Sequence, residues 1–249
     1  MAPKRSTRSK GKRVEGDSYD QNLFRSKEVA LRFSNFETRG IHKGKHVDLN
    51  ELGNLEPIRW FAHLDALPLL QINEPISPRL VRLFYANLYV DNDSLSTYLL
   101  GTQIRISDNT ICELIGITEK DRGCYFKGKC DVNIIGATYT EAVKTIFANS
   151  DLGIIPKSCE HLLPFNSKIL HHIMTSILFP KQYHLDEMSL IEISTMYWIM
   201  TGQHNYFGYS IRQHMQDITA KDTMLPYGGL ITRLILAHDI CVSPDEETI

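Results

Sequence analysis

Apolar residues recur every three or four positions along most of this chain, a spacing typical of amphipathic helices. The pattern is strongest in residues 162–242, where four consecutive apolar segments are each closed by proline, glycine or a polar turn. We therefore predict four helices that enclose one core in this part of the chain. The second of them, which begins after Ser189, is apolar nearly all round, so we expect it to be the central helix.

Local chemistry predicts where these four helices begin and end. The first is expected to be capped by Asn166 and to stop at Pro180, and the second starts at a capping box formed by Ser189 and Glu192. Asn205 is predicted to cap the third helix. The fourth begins after Pro226 and is expected to bury four aliphatic side chains: Leu230, Leu234, Ile235 and Leu236.

The first half of the chain mixes helices with a short extended region. Helix starts are predicted at Ser26, Pro57, Ser77, Ser107 and at a capping box formed by Thr138 and Glu141. Between the third and fourth of these starts the period changes to two, with apolar residues on both sides of Gly101, which indicates a hairpin. The residues that alternate are Leu95, Thr97 and Leu99 on one side and Ile104 and Ile106 on the other. The predicted fold class is mainly α, a multi-helix globular domain with a small β-hairpin in its N-terminal half.

Composition sets the domain limits. Residues 1–20 contain almost no large apolar side chains, so we expect a disordered basic tail. Residues 21–243 form the predicted domain, with a sub-boundary near 150–162 where Asp, Gly and Pro accumulate, and residues 244–249 are expected to be a disordered end. The segment from Thr118 to Ile135 is predicted to be an exposed loop.

Charge is distributed unevenly along the chain. The formal net charge is -2, but residues 1–13 hold six basic residues and no acid, which leaves 21 basic against 29 acidic residues in the remainder. An acidic body argues against a nucleic-acid-binding globular surface, because phosphate contacts need clustered cations. The tail is interpreted as a nuclear import signal, as a nonspecific nucleic-acid contact or as a solvated end. Its basic residues are Lys4, Arg5, Arg8, Lys10, Lys12 and Arg13.

Cysteine usage and the apolar runs narrow the cellular context. Five widely spaced cysteines and no apolar signal segment at the N-terminus favour a reducing compartment with free thiols. The longest apolar runs are interrupted by His171, His172 and Glu192 and reach only about half a bilayer span. No membrane crossing is predicted, and the expected location is nuclear or otherwise cytoplasmic.

Several strings of the sequence, taken together and in order, resemble a family of plant transposon proteins. They are MAPKRSTRSKGKR, LFRSKEVALRF, FYANL at Phe84–Leu88, LLG at Leu99–Gly101 with ISDNTICELIGI, ILHHIMTSILFPK at Ile169–Lys181, and LPYGGLITRL at Leu225–Leu234. The resemblance spans roughly residues 23–242. It implies a mostly helical, retrotransposon-derived domain with no assigned enzymatic activity. Relatives often continue into a polar or coiled-coil tail, so a truncated or decayed copy is one interpretation of an end at Ile249.

Candidate chemistry is sparse. Cys124, Cys130, Cys159 and His161 supply the ligand types of a zinc site, but their spacing matches no usual finger, and isolated cysteines are the favoured interpretation. The sequence contains no P-loop, no HExxH motif, no dinucleotide signature and no nucleophile elbow. We therefore expect no catalytic residues and no cofactor.

A glycine pair offers one weak binding site. Gly228 and Gly229 at a helix start, helped by Arg233, could hold an anion on backbone N–H groups. Close packing of this helix start is the favoured alternative, since no strand precedes the glycines.

Two hypotheses of function follow. The first is a noncatalytic, retroelement-derived helical module that acts through protein contacts or self-association. The second is a nucleic-acid-binding protein related to transposition that uses the basic tail.

Overall fold

A computed structural model describes residues 19–118, 137–152, 154–203, 206–240 and 248–249 of the chain. Helices dominate these ranges, and a small antiparallel sheet interrupts them, in agreement with the mainly α prediction. The α-helices are α1 (Lys27–Glu37), α2 (Leu49–Leu52), α3 (Glu56–His63), α4 (Pro78–Asn87), α5 (Asp108–Ile115), α6 (Tyr139–Phe147), α7 (Phe165–Ile173), α8 (Leu190–Thr201), α9 (Phe207–Ile218) and α10 (Gly228–Ala237). The strands are β1 (Tyr89–Asp91), β2 (Ser94–Leu99) and β3 (Thr102–Ile106). Short 3-10 turns cover Leu67–Gln71 and Glu160–Leu162, and a π turn covers Met174–Leu178.

Most predicted helix starts are confirmed by their capping bonds. The hydroxyls of Ser26, Ser77 and Ser107 accept backbone N–H groups of the first helical turn. Thr138 forms its capping box with Glu141, as predicted. Each of these starts depends on residues three positions apart, which is why the local sequence is enough to identify them.

The predicted hairpin is confirmed, but the sheet has a third strand. β2 pairs antiparallel with β3, with Leu95 opposite Ile106, and β1 pairs antiparallel with the other edge of β2, with Tyr89 opposite Ser96. Three residues are too few to show an alternating pattern, so β1 was not predicted. The middle strand packs on α4, where the Thr97 hydroxyl donates to the Phe84 carbonyl over 2.9 Å.

The central helix is α4, and the prediction that α8 is central was wrong. From Leu80 to Asn87, every residue of α4 except Arg82 is buried. In α8, by contrast, Leu190 is exposed and Trp198 is only partly buried. An apolar composition shows that a helix can be buried on all sides, but neighbouring elements decide whether it is.

Three smaller predictions need correction or cannot be tested. α7 begins at Phe165 after Pro164 without a side-chain cap, and Asn166 instead donates from Nδ2 to a carboxylate oxygen of Glu56. Leu236 is exposed on α10, whereas the other three predicted core residues of that helix are buried. Asn205 lies outside the described residues.

Backbone pairs join the first half of the chain to the second. Ile41 forms a parallel bridge with Leu225, in which the His42 N–H donates to the Leu225 carbonyl and the Leu225 N–H donates to the Gly40 carbonyl, both over 2.8 Å. The Val47 N–H donates to the Leu70 carbonyl over 2.7 Å. These bonds hold the connector, which we define as residues 38–48 between α1 and α2, against the core. Buried apolar residues of both halves form one cluster that extends from Phe36 to Ile240.

Candidate functional site

An apolar groove opens between the connector, α2 and α3 on one side and α7 with its π turn on the other. Its volume is about 450 Å³, which lies in the range of ligand-binding clefts. Aliphatic side chains line most of it, and its polar lining residues are exposed or partly exposed except for Ser176, which is buried. We call this site the groove and define it by seven residues: Val47, Leu52, Leu55, Ile58, Ile169, Ile173 and Ile177.

Short-range interactions set the first wall of the groove. The Asp48 carboxylate accepts the Asn50 N–H over 2.8 Å and so caps α2. α3 starts at Glu56, and Pro57 occupies its first turn, a position where proline is favoured. Leu52 is 41% exposed because α2 has a single turn and nothing in the described chain covers that turn.

α7 and its π turn form the second wall. The Phe179 N–H donates to the Met174 carbonyl five residues earlier, over 2.7 Å, and this bond defines the π turn. Ser176 and Ile177, on this turn, border the groove and also a neighbouring cavity. π turns occur often at functional sites, so this departure from α-helical geometry supports the choice of the groove as the candidate site.

Charged and polar groups surround the groove. Lys45 donates from Nζ to Nε2 of His172 over 3.0 Å. The pKa of that imidazole is lowered mainly by burial and further by the positive charge of Lys45. Lys168 forms a salt bridge with Glu160 over 3.5 Å. Lys168 is therefore neutralised locally, whereas no carboxylate among the described residues lies within ion-pair distance of Lys45. The rim therefore carries a net positive charge at Lys45.

The neighbouring cavity is lined by Gly228 and Gly229, two of the three predicted anion-binding residues, but not by Arg233. It has a volume of about 240 Å³ and lies between residues 42–45 and the start of α10. Arg233 forms a salt bridge with Glu74 and also donates to the Leu114 carbonyl over 3.1 Å. The other carboxylate oxygen of Glu74 is 3.5 Å from the position that a Cβ atom on Gly229 would take. A carboxylate of the chain itself thus already lies beside the glycines and arginine that were predicted to hold an anion.

Gly228 has a packing role that its sequence context suggested. A Cβ atom at this position would be 2.7 Å from Cγ2 of Ile76, closer than real Cβ contacts. The start of α10 can therefore approach Ile76 only with a glycine at this position.

A buried polar cluster links α7 to α8. Glu192 is 2% exposed, caps α8 through Ser189 and contacts Lys181 Nζ over 2.7 Å. His171 Nε2 lies 3.9 Å from the same carboxylate, and burial lowers the pKa of this imidazole although the Glu192 charge opposes the shift. The sequence showed only the capping role of Glu192, because Lys181 and His171 reach it from other elements.

His214, which is partly buried, and Tyr227 form a second polar pair. The Tyr227 hydroxyl donates to the Leu178 carbonyl over 2.7 Å and lies 2.7 Å from Nδ1 of His214. Phe179 packs edge-on against the imidazole, with ring centroids 5.9 Å apart. Burial, helped by the positive charge of Lys221, lowers the pKa of His214 to about 3. His214 is therefore neutral at physiological pH.

The remaining predicted site residues are not assembled into a site by the described part of the chain. Cys159 is fully buried, and burial raises the pKa of its thiol, while His161 is exposed. Cys124, Cys130 and the six basic residues of the tail lie outside the described residues. Among residues the structure does describe, no three His, Cys, Asp or Glu side chains are placed to hold a metal ion. Within those ranges, no helix has the length and apolar character that a membrane crossing requires.

Sequence reasoning missed the groove as a whole. Its two walls come from residues 47–58 and 169–177, more than 100 positions apart. A partial signal was present in α7, where Phe165, Ile169 and His172 repeat at spacings of four and three.

Comparisons with known proteins give one match. The family model described as a putative plant retrotransposon-related domain matches residues 63–240. This segment includes the α7 wall of the groove, while Val47, Leu52, Leu55 and Ile58 precede it. No curated protein and no solved structure matches the chain.

Proposed function

Because the chain belongs to the family of putative plant retrotransposon-related domains, we propose that it is a noncatalytic helical module that acts through protein contacts made at the groove. One observation carries the proposal: seven aliphatic side chains line a cleft of about 450 Å³ that is open to solvent. Exposed apolar surface of this kind is costly in water and is typical of binding sites.

The polar groups of the molecule support a binding role. Glu192 is committed to Ser189 and Lys181, and His214 to Tyr227. Neither group lines the groove. A binding site needs an apolar floor and a few polar groups that orient the partner, and the groove has this composition.

Selection from a peptide library tests this proposal without assuming a partner. The wild-type protein and a Leu52→Glu variant serve as parallel targets, because a carboxylate at this exposed position would place charge in the groove without disturbing the core. Leu31→Glu is the matched control, since Leu31 is 68% exposed on α1. We expect enriched peptides to bind the wild type and the Leu31→Glu variant and to lose binding to Leu52→Glu. Peptides that bind all three proteins equally would contradict the groove as the contact site.

Self-association is a separate part of the proposal. Sedimentation of the wild type over a wide concentration range measures it directly. A mass that rises with concentration in the wild type but not in Leu52→Glu supports self-association through the groove. A strictly monomeric wild type removes self-association and leaves the contact with other proteins.

The basic tail favours a second candidate function, nucleic-acid binding. Lys4, Arg5, Arg8, Lys10, Lys12 and Arg13 lie within thirteen positions that contain no acid. Six phosphate contacts would give a steep salt dependence, with a slope of log K against log salt approaching about -5. DNA and RNA binding by the full chain and by a variant lacking residues 1–13, over a salt series, tests this role. Absence of binding at low salt would rule it out and leave the tail as a nuclear import signal or a solvated end.

A further inference from the structure

The apolar surface at the groove is longer than the groove itself. Phe165 is 70% exposed and lies one turn before Ile169 on the same face of α7. From Phe165 to Ile173 the helix axis advances about 12 Å, which equals roughly two helical turns. An occupant that covers this surface must be elongated, and a helix with apolar side chains at spacings of three and four fits that requirement.

The charge at the rim restricts the chemistry of that helix. Lys168 is paired with Glu160, whereas the hydrogen bond of Lys45 goes to a histidine. Lys45 is exposed and stands at the edge shared by the groove and the neighbouring cavity. A carboxylate on the occupant would find a cation there, and a second cation would be repelled.

Nucleic acid fits this surface less well than a peptide does. Phosphate recognition requires several cations along the path of the backbone, and the rim offers one cation that no carboxylate of the described residues neutralises. The seven side chains that define the groove are aliphatic and offer no ring for base stacking, whereas Phe165, His46 and His172 supply rings beside them.

We propose that the groove binds an amphipathic helix whose apolar stripe is flanked by an acidic side chain that pairs with Lys45. The inference rests on the proposed function, because it names the kind of partner that the groove accepts. The apolar stripe provides most of the affinity, and the acidic side chain fixes the direction and register of the helix.

Three labelled helical peptides test the inference directly. They share one leucine stripe at spacings of three and four and differ only in the residue that flanks it, which is glutamate, glutamine or lysine. Fluorescence anisotropy measures their binding to the wild type and to three variants: Lys45→Glu, Lys43→Glu and Leu52→Glu. Lys43 is the matched control, because it is an exposed lysine two positions away that lines the neighbouring cavity and not the groove.

The expected result is a ranking that one substitution reverses. The glutamate peptide binds the wild type and Lys43→Glu about threefold to fivefold more tightly than the glutamine peptide, and the lysine peptide binds most weakly. Lys45→Glu reverses this order, and Leu52→Glu abolishes binding of all three peptides. The preference weakens at high salt, because the pair is exposed.

Other outcomes overturn the inference and separate it from the proposed function. Equal binding of the three peptides, lost in Leu52→Glu, contradicts an acidic partner and leaves the groove as a contact site. An acidic preference that survives in Lys45→Glu also contradicts it. If no peptide binds the wild type, the inference fails, and the library selection decides independently whether the groove binds other peptides.

Discussion

α4 and α7 are helices of similar length that pack on the same core, but they have different surroundings. Ser77 caps α4, Pro78 begins it, and from Leu80 onward nearly every side chain is buried. α7 has no side-chain cap and ends in a π turn. Its residues alternate between the core, the buried polar cluster and the groove.

We infer from this difference that α4 contributes mainly to stability and the open face of α7 to binding. α4 is enclosed by α1, the sheet and α10, so its side chains are optimised for close packing. α7 gives one face to the core and leaves the other to the groove. Two polar pairs support it, Glu192 with Lys181 and His214 with Tyr227. We expect substitutions near α4 to change the free energy of unfolding and substitutions on the open face of α7 to change binding. Four predictions test this distinction.

The largest effect is expected at Phe84, which is completely buried in α4. Phe84→Ala should lower the free energy of unfolding by about 3–5 kcal/mol, since it removes a large apolar side chain and leaves a cavity. Phe165→Ala, on the exposed face of α7, should change it by less than about 0.5 kcal/mol. Denaturant unfolding of both variants measures the contrast. Similar losses in the two variants would remove the distinction between the helices.

The second prediction concerns the polar cluster. Glu192→Gln should lower the free energy of unfolding by about 2 kcal/mol, because the partly buried Lys181 ammonium would lose the carboxylate that neutralises it. Glu141→Gln is the matched control, since Glu141 caps α6 with the same spacing but is exposed. We expect that control to lose well under about 1 kcal/mol in the same unfolding assay. Equal losses would mean that Glu192 acts only as a cap.

The third prediction is that the free energy of unfolding depends on pH through His214. The folded pKa of His214, about 3, lies below that of an unfolded histidine, so the unfolded chain binds more protons at intermediate pH. The contribution of neutral His214 is complete above pH about 6.5 and is lost as the pH falls toward the folded pKa. Because the ring keeps some contact with water, we expect a loss of about 2 kcal/mol between pH 7 and pH 4.

Unfolding curves measured across this pH range test that expectation. His214→Gln should reduce the slope of stability against pH, whereas substitution of the exposed His161 should leave the slope unchanged. A slope that is the same in His214→Gln as in the wild type would contradict the assignment to His214.

The smallest effect is expected at the start of α10. Gly228→Ala should destabilise the protein by about 1 kcal/mol, because the clash with Ile76 exceeds the gain in helix propensity. Gly44→Ala is the control, since a Cβ atom there would meet no other atom within 4 Å. Thermal melting of both variants is sufficient. A stabilised Gly228→Ala variant would show that α10 can shift away from Ile76.

The parts of the fold that were predictable are those with local causes. Ser77 before Pro78 and the spacing of Thr138 and Glu141 identify helix starts without knowledge of the tertiary structure. The resemblance to plant retrotransposon-related proteins, read from strings between residues 23 and 242, is confirmed by the family match. The start of α7 was predicted wrongly at Asn166, because that side chain bonds to Glu56, 110 positions away, instead of to its own helix.

The candidate site was not predictable for the same physical reason. Leu52 and Ile173 face one groove only because backbone bonds such as that from Val47 to Leu70 place the connector beside α7. Arg233 was considered as a residue that helps to hold an anion, but Glu74, which neutralises it, lies 159 positions earlier in the sequence. Single-sequence patterns report the face a residue occupies, but they do not report which distant residue meets it.

The π turn also determines how α7 is rotated about its own axis relative to Phe179, which follows the turn. Its five-residue hydrogen bond from Phe179 to Met174 contains one residue more than an α-helical turn. Deletion of one residue between Met174 and Leu178 would allow a continuous α-helix and rotate everything before it by about 100° relative to Phe179. Ile169 would then leave the groove, and Leu170, which is buried on the core face of α7, would leave the core. The extra residue of the π turn therefore keeps the groove face and the core face of α7 in place together.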